Sequence, residues 1–94
     1  MKPAWYLYLL ECRNGRLYSG ITTNLAMRFA RHASGKGAMF TRLNPPRRIV
    51  AALQFESRAE ASRAEYRMKQ LRVAQKRAAA AEWPALPSLP AIGA

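Results

Sequence analysis

Apolar and aromatic residues gather first in Trp5-Tyr6-Leu7-Tyr8-Leu9-Leu10, a run closed by Glu11 and by Arg13-Asn14-Gly15-Arg16. A short aromatic-rich run ending in an Asn-Gly turn predicts a strand, with Leu17 to Ile21 returning as its hairpin partner. Side chains alternate faces along a strand, so a one-residue slip moves every one of them across the sheet. A two-residue Asn-Gly loop would pair Cys12 with Leu17, split Tyr8 from Tyr18, and set Arg16 beside Leu7 and Leu9. A three-residue loop, with Gly15 in a left-handed bulge position, pairs Cys12 with Arg16 and Tyr8 with Gly20. It gathers Leu7, Leu9, Leu17 and Ile21 on one face and leaves Tyr6, Tyr8, Arg16, Tyr18 and Gly20 on the other. That segregation favours the three-residue loop and predicts a polar, tyrosine-lined face beside a glycine that admits close backbone approach.

Thr22-Thr23-Asn24 supplies N-cap residues, with Asn24 best placed. Leu25, Phe29 and Ala33 recur at four-residue steps, which predicts an amphipathic helix over residues 25 to 34. Gly35 is its expected C-cap, and Gly35-Lys36-Gly37 opens what reads as a mobile basic loop. After Pro45-Pro46, Arg48 to Phe55 predicts a third strand. Ser57 with Glu60 three positions on forms a capping box, followed by a helix whose apolar stripe is Ala61, Ala64, Met68 and Leu71. Arg72 to Glu82 is alanine-rich, basic and helical in pattern, after a break near Arg72. From Trp83 onward, Pro84, Pro87 and Pro90 suggest an extended, poorly ordered tail. The expected fold is α/β of the α+β kind: a small three-stranded antiparallel sheet with an N-terminal hairpin, flanked by two to three helices. One domain spans residues 1–82, and a Pro-rich tail covers 83–94.

Charge changes the picture from fold to partner. Sixteen Lys and Arg, mostly arginine, stand against five acidic residues, for a net charge of +11. Self-repulsion of that size opposes folding and points to a polyanionic partner, with DNA favoured. A basic, GC-rich genome that drifts lysine into arginine is the duller explanation. Cys12 is the single cysteine, so no internal disulfide forms, which suits a reducing cytoplasm. The run Trp5 to Leu10 is too short for a membrane span and lacks a signal-peptide cleavage site. A soluble cytoplasmic protein, monomeric or weakly dimeric, is expected.

Four segments then occur in order: Tyr6-Leu7-Tyr8; Tyr18-Ser19-Gly20; Asn24 to His32 with its Arg28 and His32; and Ala64-Glu65-Tyr66. Together, from about Trp5 to about Leu71, the chain resembles the GIY-YIG nuclease superfamily. More narrowly, it looks like the small stand-alone bacterial branch related to the Slx-type structure-specific endonucleases. It departs from the family name at Tyr6, Leu7 and Ser19, leaving Tyr8 and the Tyr18/Gly20 pair. The resemblance implies a metal-dependent endonuclease that hydrolyses phosphodiester bonds in single-stranded or branched DNA, in repair or recombination. Tyr8, Tyr18, Arg28, His32 and Glu65 would be its catalytic residues, and a protein partner could supply substrate choice. A module that keeps the fold and binds nucleic acid without cutting is the alternative.

Each candidate has a plainer role beside the chemical one. Glu65 is the expected ligand of a single Mg²⁺ or Mn²⁺ ion that keeps most of its waters; otherwise it forms an i,i+4 ion pair with Lys69. Arg28 and His32, one helical turn apart, are placed to clamp the scissile phosphate and to move a proton near neutral pH; otherwise both are solvated helix surface. Tyr8 is assigned as the base and Tyr18 as a positioning group, with the reverse assignment open; otherwise both are sheet aromatics. Phe40 either stacks on a base or plugs the core. Lys36, Arg42, Lys69 and Arg72 are the expected nucleic-acid contacts, or simply exposed charges.

Overall fold

The computed structural model describes residues 2–84. Three strands, β1 (Trp5–Cys12), β2 (Leu17–Thr22) and β3 (Pro46–Phe55), form one antiparallel sheet in the order β2-β1-β3. Four helices accompany it: α1 (Leu25–Ala33), α2 (Met39–Leu43), α3 (Arg58–Lys69) and α4 (Val73–Ala81). Strand β1 is central, and Leu7, Tyr8, Leu9 and Leu10 are all buried. A strand covered on both faces reads as a continuous apolar run, which is why β1 lacks clean alternation.

The hairpin takes the three-residue register. Tyr8 pairs with Gly20 and Leu10 with Tyr18; the Cys12 amide donates to Arg16 O at 2.8 Å, and Gly15 is left-handed at φ +81°. The face that carries Tyr8 and Tyr18 is not the open polar surface the pattern suggests. Tyr8, Leu10, Ile49 and Ala52 form a buried cluster there, closed by Tyr18, Leu25 and Phe29. Helix α1 lies across it, so only the rim of this face keeps a polar character.

The opposite face holds Leu9 and Leu17 against Ala80 of α4, with Val50, Ala51 and Trp83 around them. Alanine lets α4 approach the sheet closely, and Glu11 fixes it there. Its carboxylate accepts from Arg77 at 2.8 Å and from Arg48 at 3.1 Å, and these bonds hold the carboxyl below its ordinary range. Trp83, which composition assigns to the tail, thus packs with the domain; residues 85–94 lie outside the described ones.

Helix ends follow the expected caps. The Asn24 side chain accepts from the Met27 amide at 3.0 Å and Ser57 Oγ from the Glu60 amide at 3.2 Å. After α1, Gly35 at φ +79° lets its own amide reach His32 O (3.2 Å) and the Lys36 amide reach Arg31 O (2.9 Å), a Schellman closure. Beyond it the pattern predicts a loop, whereas the structure has α2. This helix is a five-residue turn with no side-chain cap, so propensity carries no mark of it. What holds it are Thr41 and Phe40, both turned inward. Strand β3 starts two residues early because pairing continues to Cys12↔Pro46, and proline is tolerated at a strand's first residue.

Trp83→Ala should lower the unfolding free energy by about 1–3 kcal/mol, as expected for a half-buried aromatic. Urea denaturation measures it, and an unchanged midpoint would place Trp83 outside the packed domain.

Candidate active site

A pocket of about 340 Å³ opens at the rim of the tyrosine face, lined by Tyr8, Tyr18, Gly20, Arg28 and Glu65 among others. Four of the five expected catalytic residues therefore meet in one hollow, delivered by four elements. β1 brings Tyr8, β2 brings Tyr18, α1 brings Arg28 and α3 brings Glu65. The pairing of Tyr8 with Gly20 decides how deep the pocket reaches. A methyl on residue 20 would overlap the Tyr8 ring and hydroxyl, so only glycine lets that hydroxyl lie across β2.

His32 is placed differently. It is 1% exposed and lies beneath the pocket, behind Tyr8. Its Nε2 is 2.9 Å from the Tyr8 hydroxyl and its Nδ1 is 2.7 Å from Thr41 Oγ1. Thr41 has one hydroxyl proton and gives it to Ala38 O at 2.9 Å. It must therefore accept from His32, which fixes the ring as the Nδ1–H tautomer. Nε2 is then an acceptor, and the Tyr8 hydroxyl donates to it. The chain runs one way: Tyr8 to His32 to Thr41 to the Ala38 carbonyl. Gly37 makes room for it, since a methyl there would overlap the His32 ring. The second glycine of Gly35-Lys36-Gly37 is thus a matter of space, not of hinge motion.

Burial, together with Arg28 and Arg31, pushes the His32 pKa down to about 4. The ring is neutral at physiological pH and faces no solvent, unlike the exposed proton shuttle its ordinary value suggests. Tyr8 is pushed up by burial, and Tyr18 and Glu65 add to this, while the Arg28 guanidinium beside its oxygen works against it. Tyr8 is therefore a protonated phenol in the resting site. Arg28 is raised by the same contact, and its Nε is buried with no partner among the described residues. A buried cationic donor without an acceptor suits an incoming anion.

Phe40 stacks on Tyr18, with ring centroids 5.6 Å apart and planes at 22°, so it plugs the core and braces that tyrosine. Tyr6 is half-buried and away from the pocket. Cys12 is fully buried at the turn end of β1 with its thiol pushed up, which suits packing and not nucleophilic chemistry. Lys69 Nζ lies 3.4 Å from Glu65 Oε1, so the ion pair and the pocket position of Glu65 hold together. Lys36, Arg42, Lys69 and Arg72 are exposed and none lines the pocket. The sequence reading missed Arg58 and Trp5. Both line the pocket, with the Arg58 guanidinium 5.7 Å from the centre of the Trp5 ring. Arg58 precedes Glu65 by seven residues, about two helical turns, so their shared face was open to counting.

The GIY-YIG catalytic domain family matches residues 4–78. The chain belongs to the GIY-YIG family. A UPF0213 protein of Cupriavidus necator is 52% identical over 82 residues, 87% of this chain and 89% of that one. One from Xanthomonas campestris is 52% identical over 75 residues, 80% and 72% of the two chains. The solution NMR structure of a UPF0213 protein from Bacillus halodurans superposes with a TM-score of 0.53 at 44% identity, covering 83% of each chain. That of an E. faecalis protein gives 0.58 at 37%, covering 84% and 86%. The GIY-YIG domain is a nuclease domain whose members generally use a divalent metal.

The donor set here suits one water-rich ion. Among the described residues no cluster of three or more metal-ligating side chains exists, and Glu65 is the one carboxylate they bring to the pocket. Mg²⁺ accepts such a site, since it retains waters and takes phosphate oxygens. The pair with Lys69 is a surface contact of about 0–1 kcal/mol and yields readily to such an ion.

The buried ring makes stability depend on pH. An unfolded His32 takes up a proton below its ordinary 6.5, the folded form only near 4. Between these values the unfolded chain binds the extra proton, so stability falls as pH drops, by on the order of 3 kcal/mol in all. Urea midpoints measured from pH 7 to pH 4.5 should decline steadily, and a flat profile would mean that His32 takes up its proton in the folded state at its ordinary value.

Proposed function

We propose that this protein is a metal-dependent DNA endonuclease that hydrolyses phosphodiester bonds at the Tyr8–Tyr18–Arg28–Glu65 pocket, acting in the cytoplasm on single-stranded or branched DNA in repair or recombination. The observation that carries the proposal is the convergence of one carboxylate, one arginine whose buried Nε has no partner among the described residues, and one directionally bonded tyrosine in a single hollow of a GIY-YIG domain.

Arg28 receives the scissile phosphate and stabilises the charge that grows on its oxygens. Tyr8 serves as the base. Because its proton already points at His32 Nε2, the oxygen's lone pairs face the pocket. As the phenol oxygen takes a proton from the attacking water, its own passes to His32, and no free phenolate forms. Burial is the main reason the ring stays neutral, and the Arg28 charge adds to it; a phosphate bound at Arg28 offsets that charge, so His32 becomes a better acceptor once substrate is present. Tyr18, braced by Phe40, positions the phosphate. Glu65 would hold the divalent ion, which would supply Lewis acidity toward the phosphate. One centre makes one nick per encounter, and the net charge of +11 draws the polyanion in.

With Mg²⁺ or Mn²⁺ and labelled single-stranded, duplex and branched DNA, the wild type should cut, and chelation should stop it. Glu65→Gln should abolish cutting while DNA binding persists; Arg28→Ala should slow it by a factor of about 100 or more. Tyr8→Phe, which removes the proton path, should be as inactive. Binding by wild type and variants alike without cutting would mean a nucleic-acid-binding module that has kept the fold.

A further inference from the structure

Outside the pocket, α3 carries a second hollow of about 370 Å³, formed by Ser62, Arg63, Tyr66 and Arg67. Its floor is an aromatic ring left in water: Tyr66 is 70% exposed. The flanking Arg63 and Arg67 are exposed, and neither joins an ion pair among the described residues. The ring plays no part in the clusters that hold the sheet, so packing does not account for it.

Helix geometry joins this hollow to the reaction pocket. At about 100° per residue, Arg58 and Lys69 fall within about 40° of Glu65, on the pocket side. Ser62 follows, then Tyr66, one residue and about 100° from Glu65. Arg63 and Arg67 lie beyond. Passing around α3 from its buried Ala61, Ala64 and Met68, one meets the carboxylate, then a small hydroxyl, then an exposed aromatic, then two cations.

From this order we infer that the Ser62–Arg63–Tyr66–Arg67 face is a stacking platform for single-stranded DNA beside the scissile phosphate, an inference that rests on the nuclease reading above. A strand whose phosphate sits at Arg28 and Arg58 leaves the pocket past Glu65 and lays a flanking base on Tyr66. Arg63 and Arg67 then meet the next phosphates. An aromatic platform between backbone-neutralising cations is how proteins hold unpaired bases without reading sequence. Paired bases are already stacked and cannot use it. The platform therefore confers a preference for frayed, looped or single-stranded DNA next to the cut. A second copy of the chain is a poor occupant, because two arginine-bearing faces of a +11 protein repel.

Fluorescence anisotropy of a labelled oligothymidylate and of a blunt duplex, both in EDTA so that nothing is cut, tests it. Tyr66→Ala should weaken single-strand binding roughly tenfold or more while duplex binding stays within about twofold. Tyr66→Trp should restore it. Arg63→Gln and Arg67→Gln should each lower the slope of log affinity against log salt by about 0.7 on the single strand. Wild-type affinity in Tyr66→Ala, an equal loss on duplex, or no oligothymidylate binding by the wild type would each overturn the proposal. Binding through Tyr66 by a protein that never cuts would sink the nuclease reading and leave the platform standing.

Discussion

The structure turns on one buried hydrogen-bond chain, from the Tyr8 hydroxyl through His32 and Thr41 to the Ala38 carbonyl. Leaving a buried hydroxyl or ring nitrogen unpaired costs about 1–3 kcal/mol per group, so every member needs its neighbour. Meeting that need dictates much of the local architecture. Gly20 and Gly37 lose their side chains to make room. Helix α2 exists to present Thr41 and, one residue earlier, to set Phe40 against Tyr18. A segment that looks like a mobile loop is thereby folded over the back of the site.

The same chain sorts the charges. A neutral histidine beneath Arg28 avoids stacking a second cation under the first. Among the five carboxylates the division is equally plain. Glu11 ties α4 to the sheet through Arg77 and Arg48, Glu60 sits in the first turn of α3, and Glu65 alone reaches the pocket. A single acid among many arginines is a poor nest for several metal ions and a good one for a phosphate and one hydrated cation.

Much of this was legible in the residues. The hairpin register followed from segregating Leu7, Leu9 and Leu17 from the tyrosines, because only one loop length keeps them apart. Asn24 and Ser57 marked helix starts through cap chemistry that is local and strong. Tyr8, Tyr18, Arg28 and Glu65 were picked out by their order and do share a pocket. What escaped was tertiary. No periodicity shows that α1 covers the tyrosine face, so Tyr8 reads as half-exposed when it is buried. His32 reads as solvated for the same reason: its burial comes from α2, which has neither the length nor a cap to announce itself. Arg58 was countable on the Glu65 face and was overlooked. Tyr66 carried no periodic signal, since an exposed aromatic becomes notable only once nothing packs on it.

Because the chain has a single histidine, its ring can be followed without ambiguity, free of metal and DNA. Nitrogen-15 NMR of His32 across pH 7 to 4 tests the central claim, that Tyr8 donates to a neutral ring and so turns its lone pairs to the pocket. The Nδ1–H tautomer should persist through pH 6, with protonation arriving only near pH 4. An Nε2–H ring would contradict it, for then Tyr8 could not hand its proton inward; a histidine that titrates at its ordinary 6.5 would contradict the buried, neutral ring on which the account rests.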